Sequence, residues 1–310
     1  MAENSEDLDV IIIGGGPGGL SAALWCADLG LKAVLIEKES EFGGQLLWTF
    51  NAIQNYLGIE AANGRELRDR FLKHVEKTKV HRLTGTPVVA ADLTQKTVIL
   101  ADGKRYSAKT IIIATGVRRR KLGVPGEEEF RNRGILDSGV KSREEVSEKT
   151  VVIIGGGDAA VENALILSET ASKVIVVHRR SEFTARKEFV NRLRRSPNIE
   201  VRFDTRVSAI LGDETVEAVS LDDIKTGKQT KCCADNVLIR IGVVPNTEIF
   251  RGQISLDGSG YISVNANFAT NLDGIYAAGD ASNPLAPTIS GAVGQAATAV
   301  KEVHRRFGYC

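Results

Sequence analysis

Cysteine is scarce in this chain and poorly spaced for most of what cysteine does. The 310 residues contain four, Cys26, Cys232, Cys233 and Cys310. No two of them are spaced C-x-x-C, and no Cys/His cluster has the spacing of a zinc site. A disulfide scaffold is not expected in a chain of this size. Cys232 and Cys233 are read as structural thiols flanking a strand expected over 236–241, because a vicinal disulfide closes a strained ring. A lone terminal thiol at Cys310 could relay electrons only by pairing across a dimer. Net charge is nearly absent as well: 40 Lys and Arg face 39 Asp and Glu, leaving +1. A global attraction to nucleic acid or to a membrane surface is therefore not indicated. No apolar run approaches the roughly 20 residues of a membrane span. The opening Met-Ala-Glu-Asn-Ser-Glu-Asp is acidic and polar, the wrong charge for a signal peptide. A cytoplasmic protein with neither nucleic-acid nor membrane partner is expected. The four histidines, His74, His81, His178 and His304, show no pattern for general-base or metal work, so no metal is expected.

What the sequence does have is ordinary globular composition, 43% hydrophobic and 25% charged, over a length that suits about two domains. It also has an internal repeat. Residues 10–40 read VIIIGGGPGGLSAALWCADLGLKAVLIEKES, and residues 151–181 read VVIIGGGDAAVENALILSETASKVIVVHRRS. Each begins with a β-branched run suited to a buried parallel strand. Each continues through a Gly-rich turn and a helical stretch, and ends in a second apolar strand. A βαβ unit is thus written twice, which predicts an α/β fold of two doubly wound Rossmann-like domains. The first needs more sheet than the chain before residue 151 supplies. Residues 274–280 and 291–306 read as a strand and helix that return to it. The second domain is then an insertion: 1–116 with 247–310 form one domain and 117–246 the other.

In the first repeat Gly14, Gly16 and Gly19 form G-x-G-x-x-G between strand and helix. The first glycine permits the tight turn, the second lets backbone approach a pyrophosphate, and the third lets helix and strand pack closely. The pyrophosphate would sit at the helix N-terminus. Glu37 closes the second strand where a carboxylate can accept from ribose hydroxyls. In the second repeat Gly155, Gly157 and Ala160 take the same places, but the position of Glu37 is held by His178, followed by Arg179 and Arg180. A carboxylate repels a 2′-phosphate, whereas two guanidinium groups suit one. The second site should therefore prefer NADPH to NADH. The competing reading is a solvated Glu beside a plain glycine turn, and two solvated surface arginines.

These residues resemble the low-molecular-weight thioredoxin reductases over nearly the whole chain. The resemblance is carried by GGGPGG at 14–19, GGQL at 43–46, ATG at 114–116, GGGDAAVENA at 155–164, HRR at 178–180, G-x-x-PNT at 242–247 and AAGD at 277–280. It implies FAD in the first domain, along Gly14, Gly16, Pro17, Gly19, Glu37, Lys38, Gly43, Gly44, Gln45, Leu46, Asn55, Val88, Ala114, Thr115, Gly116, Gly279, Asp280, Thr288 and Ile289. It implies NADPH in the second, along Gly155, Gly157, Asp158, Ala159, Ala160, His178, Arg179, Arg180, Arg186, Ile241 and Gly242. It also implies a homodimer. Hydride transfer from NADPH to flavin needs no protein base, only ordered rings.

Three departures from the family pattern matter. Ser138 and Lys141 stand where the family has its C-x-x-C pair, and neither can take part in thiol–disulfide exchange. Thr184 stands where the family often has a further arginine, with Arg186 two residues on. Ala286, Pro287 and Thr288 replace the Arg-Gln-Ala segment, and look more like the ferredoxin/flavodoxin–NADP⁺ reductases of this fold. Those relatives stack an aromatic ring on the flavin after GGQL; Phe50 falls at that spacing with Trp48 nearby, the alternative being that both are core aromatics. The expected partner is an external electron carrier, ferredoxin or flavodoxin first. Another disulfide, a quinone or oxygen remains an alternative, as does a flavin-bound sensor or partner-binding protein. Arg118, Arg119, Arg120 and Lys121, with Arg192, Arg194 and Arg195, read either as solvated surface or as a docking patch for an acidic carrier.

Overall fold

The computed structural model describes residues 8–308; residues 1–7 and 309–310, Cys310 among them, lie outside that range. The chain divides into two compact units, 8–118 with 244–308 in one and Arg119–Val243 in the other. The segments Val117–Arg119 and Val243–Pro245, by which it passes between them, pair as a two-stranded ribbon.

Unit 1 is built on four parallel strands in the order His81–Leu83, Ala33–Ile36, Leu8–Ile13, Arg105–Ile113. Leu8–Ile13 is buried throughout, as an apolar run covered on both faces must be. The far edge of Arg105–Ile113 is shared. Its first half pairs with the antiparallel Thr97–Leu100, and its last three residues pair in parallel with Ile275–Ala277. Helices Pro17–Asp28 and Ile289–Arg306 cover one face through Leu20, Ala23, Cys26, Ala296, Val300 and Val303. Small residues let these helices approach, so that Ser21 Oγ donates to Val293 O at 2.8 Å. The other face is closed by the 88–100 hairpin together with Phe250, Ile254 and Ile262.

Unit 2 holds five parallel strands in the order Ile199–Arg202, Lys173–Val177, Thr150–Ile154, Asn236–Ile239, Ile135–Leu136. Helices Asp158–Leu167 and Lys187–Arg195 cover one face. The other face is covered by an antiparallel sheet, Thr205–Gly212, Val216–Asp223 and Gln229–Cys233, which buries Val207, Ile210, Val219 and Leu221.

Cys232 and Cys233 end the strand Gln229–Cys233 of this second sheet and so flank the parallel strand, which runs over Asn236–Ile239 and stops two residues short of the expected 241. Successive strand residues face opposite sides, so Cys232 is buried, Cys233 is exposed, and both are free. Burial pushes the Cys232 thiol up, and burial together with Asp9 pushes the Cys26 thiol well above its usual range. Brief maleimide treatment of native protein should therefore label Cys233 and spare Cys26 and Cys232. Peptide mass mapping that found Cys26 labelled as fast as Cys233 would contradict the packing of helix Pro17–Asp28.

Candidate dinucleotide sites

In unit 1 the glycines divide by what surrounds them. A Cβ on Gly19 would lie 1.8 Å from the carbonyl oxygen of Gly14, and one on Gly14 would lie 2.4 Å from that of Ala114. These two glycines are required by the protein's own packing. A Cβ on Gly16 would meet nothing nearer than Gly44 Cα at 3.8 Å. Gly16 is the N-cap of Pro17–Asp28, with no side-chain cap and no acidic residue in the first turn. Its free N–H groups and open space fit an anion that must come close to backbone. Pro17 sits in the first turn, where its missing N–H costs nothing.

The carboxylate of Glu37 is buried under this turn. It accepts from Gly15 N at 2.6 Å and Glu39 N at 2.9 Å, so it shapes the loop as well as lying at its mouth. Gly43 N donates to Gly15 O at 2.9 Å, which brings the 43–46 segment beside the turn with Leu46 buried below it. Gln45 Nε2 donates to Val117 O at 2.8 Å. Ala114 N donates to Ile13 O and Ala278 N to Ile113 O, so 114–116 and 279–280 emerge from neighbouring strand ends. Gly279 N donates to Gln295 Oε1 at 2.8 Å, and Thr288 caps Ile289–Arg306 by accepting from Gly291 N. Asp280 is half-buried, and burial raises its pKa above the usual carboxylate range.

Not every expected residue joins this group by a side-chain contact. Lys38 is exposed and pairs with Glu39, and Asn55 is exposed on the segment between Ile53 and Ala61. Val88, half-buried, begins a strand two residues after Thr86, whose N–H donates to Glu37 O at 3.0 Å. Phe50 is half-buried, but Trp48 is 53% exposed, which rules it out as a core aromatic. Asn246, which sequence reasoning left unassigned, holds the 114–116 crossover: its side-chain Nδ2 donates to Thr115 O and its backbone carbonyl accepts from Thr115 Oγ1, both at 2.8 Å.

Unit 2 repeats the turn with different chemistry beneath it. Gly155 is tight, since its Cβ would lie 2.1 Å from Arg240 O, whereas one on Gly157 would meet only Thr184 Oγ1 at 3.8 Å. Gly157 caps Asp158–Leu167 without a side-chain bond, and Ala159 and Ala160 lie in the first turn. Where Glu37 lies under Gly15, the ring of His178 lies under Gly156. Burial lowers the pKa of His178, and the ring stacks on Phe183 with its Nε2 buried and unpartnered. Arg179 and Arg180 follow it, both exposed and, among the described residues, in no ion pair. This open turn with two uncommitted guanidinium groups fits a dinucleotide carrying an extra phosphate. Arg186 is already engaged: it pairs with Asp158 at 3.0 Å and lies over the Phe189 ring at 4.1 Å. Ile241 and Gly242 follow the strand Asn236–Ile239, and Gly242 O accepts from Arg120 N at 3.0 Å.

The basic run 118–121 is dispersed by its contacts and does not form one patch of free charge. Arg118 pairs with Glu248 at 2.5 Å, Lys121 pairs with Glu128 at 2.5 Å, and Arg119 donates to Asp137 O. Arg192, Arg194 and Arg195 are exposed on Lys187–Arg195. Among the described residues no helix is long and apolar enough to cross a membrane.

Comparison with known proteins agrees with this architecture. The family model described as pyridine nucleotide-disulphide oxidoreductase matches residues 8–302. A thioredoxin reductase of Mycolicibacterium smegmatis is 36% identical over 283 residues, covering 90% of each chain. A "34.2 kDa protein in rubredoxin operon" of Clostridium pasteurianum is 29% identical over 307 residues, covering 99% of each. The crystal structure of Lactococcus lactis thioredoxin reductase superposes with a TM-score of 0.84 at 33% identity, covering 96% of this chain and 98% of that one. The chain belongs to the pyridine nucleotide-disulphide oxidoreductase family, as a thioredoxin-reductase-like flavoprotein whose cofactors are FAD and NADPH.

Proposed function

We propose that unit 1 holds FAD, that unit 2 holds NADPH, and that electrons pass from NADPH through the flavin directly to an external carrier, with no internal disulfide between. Ferredoxin or flavodoxin is the first candidate carrier, and the working assembly is a homodimer. The observation that carries this reading is the segment where the resemblance places the family's C-x-x-C. It contains Ser138, 8% exposed, and Lys141. Its backbone is held in place: Gly139 N donates to Asn163 Oδ1 at 2.8 Å, and Asn163 Nδ2 in turn donates to Ala159 O at 2.7 Å. Lys141 lies 3.9 Å from the carboxylate of Asp137. A relative named for its place in a rubredoxin operon fits a small electron-carrier protein as partner.

The bound cofactors would supply hydride donation and the release of electrons singly or in pairs. The chain's own work is binding and ordering. The N-terminus of Pro17–Asp28 would receive the FAD pyrophosphate, and Glu37, which fixes the turn, would accept from ribose. Arg179 and Arg180 would hold the 2′-phosphate of NADPH. Anaerobic mixing with NADPH should bleach the flavin rapidly, and the reduced protein should then pass electrons to ferredoxin or flavodoxin but not to thioredoxin. Thioredoxin turnover at a comparable rate would overturn the direct exit. Slow or absent bleaching would favour a flavin-bound sensor.

A further inference from the structure

In unit 2, two guanidinium groups lie together and, among the described residues, neither is in an ion pair. The strand Ile135–Leu136 ends at Asp137, Thr150–Ile154 at Gly155, and Asn236–Ile239 at Arg240. These strands are neighbours in one parallel sheet, so the three residues lie along its C-terminal edge. From Thr150–Ile154 the sheet grows one way to 173–177 and the other way to 236–239. Ligands of open α/β sheets bind at such a switch.

Arg119 Nη1 and Arg240 Nη2 both donate to the carbonyl oxygen of Asp137, each at 2.6 Å. Two donors sharing one acceptor at that distance stand within about 5 Å of each other. Arg240 Nη1 is taken by another backbone carbonyl, that of Ile239, at 2.9 Å. Among the described residues neither guanidinium has a carboxylate in ion-pair range, and the carboxylate of Asp137 lies toward Lys141. Neutral carbonyls are therefore the direct partners of two like charges. Desolvation, and then repulsion by Arg119, lower the pKa of Arg240 to about 10, and desolvation lowers that of the exposed Arg119; the carboxylate of Asp137 acts on both from beyond ion-pair range and offsets only part of this. An oxyanion bridging them would remove the repulsion and gain charge-assisted bonds from two planar donors.

The dinucleotide does not bring that anion. On the proposed reading its 2′-phosphate is at Arg179 and Arg180, beyond the strand 173–177, and its pyrophosphate is at the 155–157 turn. A molecule laid across the strand ends from there would bring its nicotinamide end, which carries no anionic group, toward Arg240. We propose that Arg119 and Arg240 form an oxyanion subsite for the second substrate, taking the carboxylate, sulfonate or phosphate of a small electron acceptor. This inference rests on the NADPH assignment for its orientation.

The test compares two quinones with the FAD-loaded protein: 1,4-naphthoquinone-2-sulfonate and the neutral 2-methyl-1,4-naphthoquinone. Each takes a hydride equivalent from NADPH and a proton from water, giving quinol and NADP⁺. Arg119→Gln and Arg240→Gln keep an N–H donor for Asp137 O but lose the charge. Each should raise KM for the sulfonate about tenfold, the scale of a lost charged hydrogen bond. Turnover of the neutral quinone and KM for NADPH should stay within about twofold, again small against that loss. Arg240→Lys should restore part of the affinity. Calorimetric titration of the sulfonate without NADPH reads the site independently of turnover: the wild type should bind it and the double variant should not. Equal losses for both quinones, a rise in KM for NADPH instead, or no sulfonate binding by the wild type would each overturn the subsite. Anaerobic bleaching by NADPH, measured separately, tests the parent assignment, so the two can fail independently.

Discussion

Gly19→Ala is expected to give a protein that purifies without flavin. Its Cβ would lie 1.8 Å from the Gly14 carbonyl oxygen, and that oxygen is backbone, unable to swing aside. The helix Pro17–Asp28 must then separate from the strand Leu8–Ile13, and with it the anion site at its N-terminus. A clash of this kind costs more than about 4 kcal/mol, beyond the usual range of single substitutions. Gly16→Ala is the informative contrast. The protein itself leaves room for that methyl group, with the nearest atom at 3.8 Å, so the fold and thermal stability of the flavin-free protein should be unchanged. The pyrophosphate would meet the new methyl group, and FAD affinity should fall by about 1–3 kcal/mol, roughly fivefold to 150-fold. Retention of FAD by the Gly16→Ala protein at wild-type affinity would mean that the turn is not a phosphate cradle.

Arg179→Ala combined with Arg180→Ala should cost NADPH use far more than NADH use. Each charge-assisted bond to a phosphate contributes about 1.5–3 kcal/mol, so losing both should lower kcat/KM for NADPH by about a hundredfold or more. NADH carries no 2′-phosphate, and its kcat/KM should move less than about threefold, within what exposed side chains usually contribute. Neither arginine has a competing ion pair among the described residues, so both are available to the ligand. Arg186 must first leave Asp158 and the Phe189 ring, and Arg186→Ala should cost less. Equal losses with both cofactors would remove the phosphate assignment.

The repeat was readable because a βαβ unit imposes local order: a buried run, glycines at fixed offsets and a charged residue closing the second strand. Glu37 and His178 stood out for that reason, and the structure sets them in matching positions under Gly15 and Gly156. The antiparallel sheet 205–233 was less legible, because its pattern mixes exposed and buried residues around a bulge. The residues that brace the turns were missed for a different reason. Gln295 reaches Gly279 N, Asn246 reaches Thr115 and Asn163 reaches Gly139 N across 16, 131 and 24 residues. No spacing in the chain marks such a contact. A polar amide on an otherwise small-residue helix, as at Asn163 and Gln295, was the available signal. The Arg119–Arg240 pair is hidden in the sequence because one member lies in a basic run and the other falls within the strand expected over 236–241.

The way unit 2 is spliced into unit 1 fixes an order of events on the ribosome. The last three residues of Arg105–Ile113 have no neighbour on one edge until Ile275–Ala277 is made, roughly 160 residues later. At elongation rates of about 5–20 residues per second, that edge waits on the order of 10–30 s. Unit 2 is contiguous, and Arg120 N meets Gly242 O, so its two ends close on each other as soon as they emerge. The nascent chain therefore carries a finished second unit while the first still exposes the strand that its own C-terminus must cover.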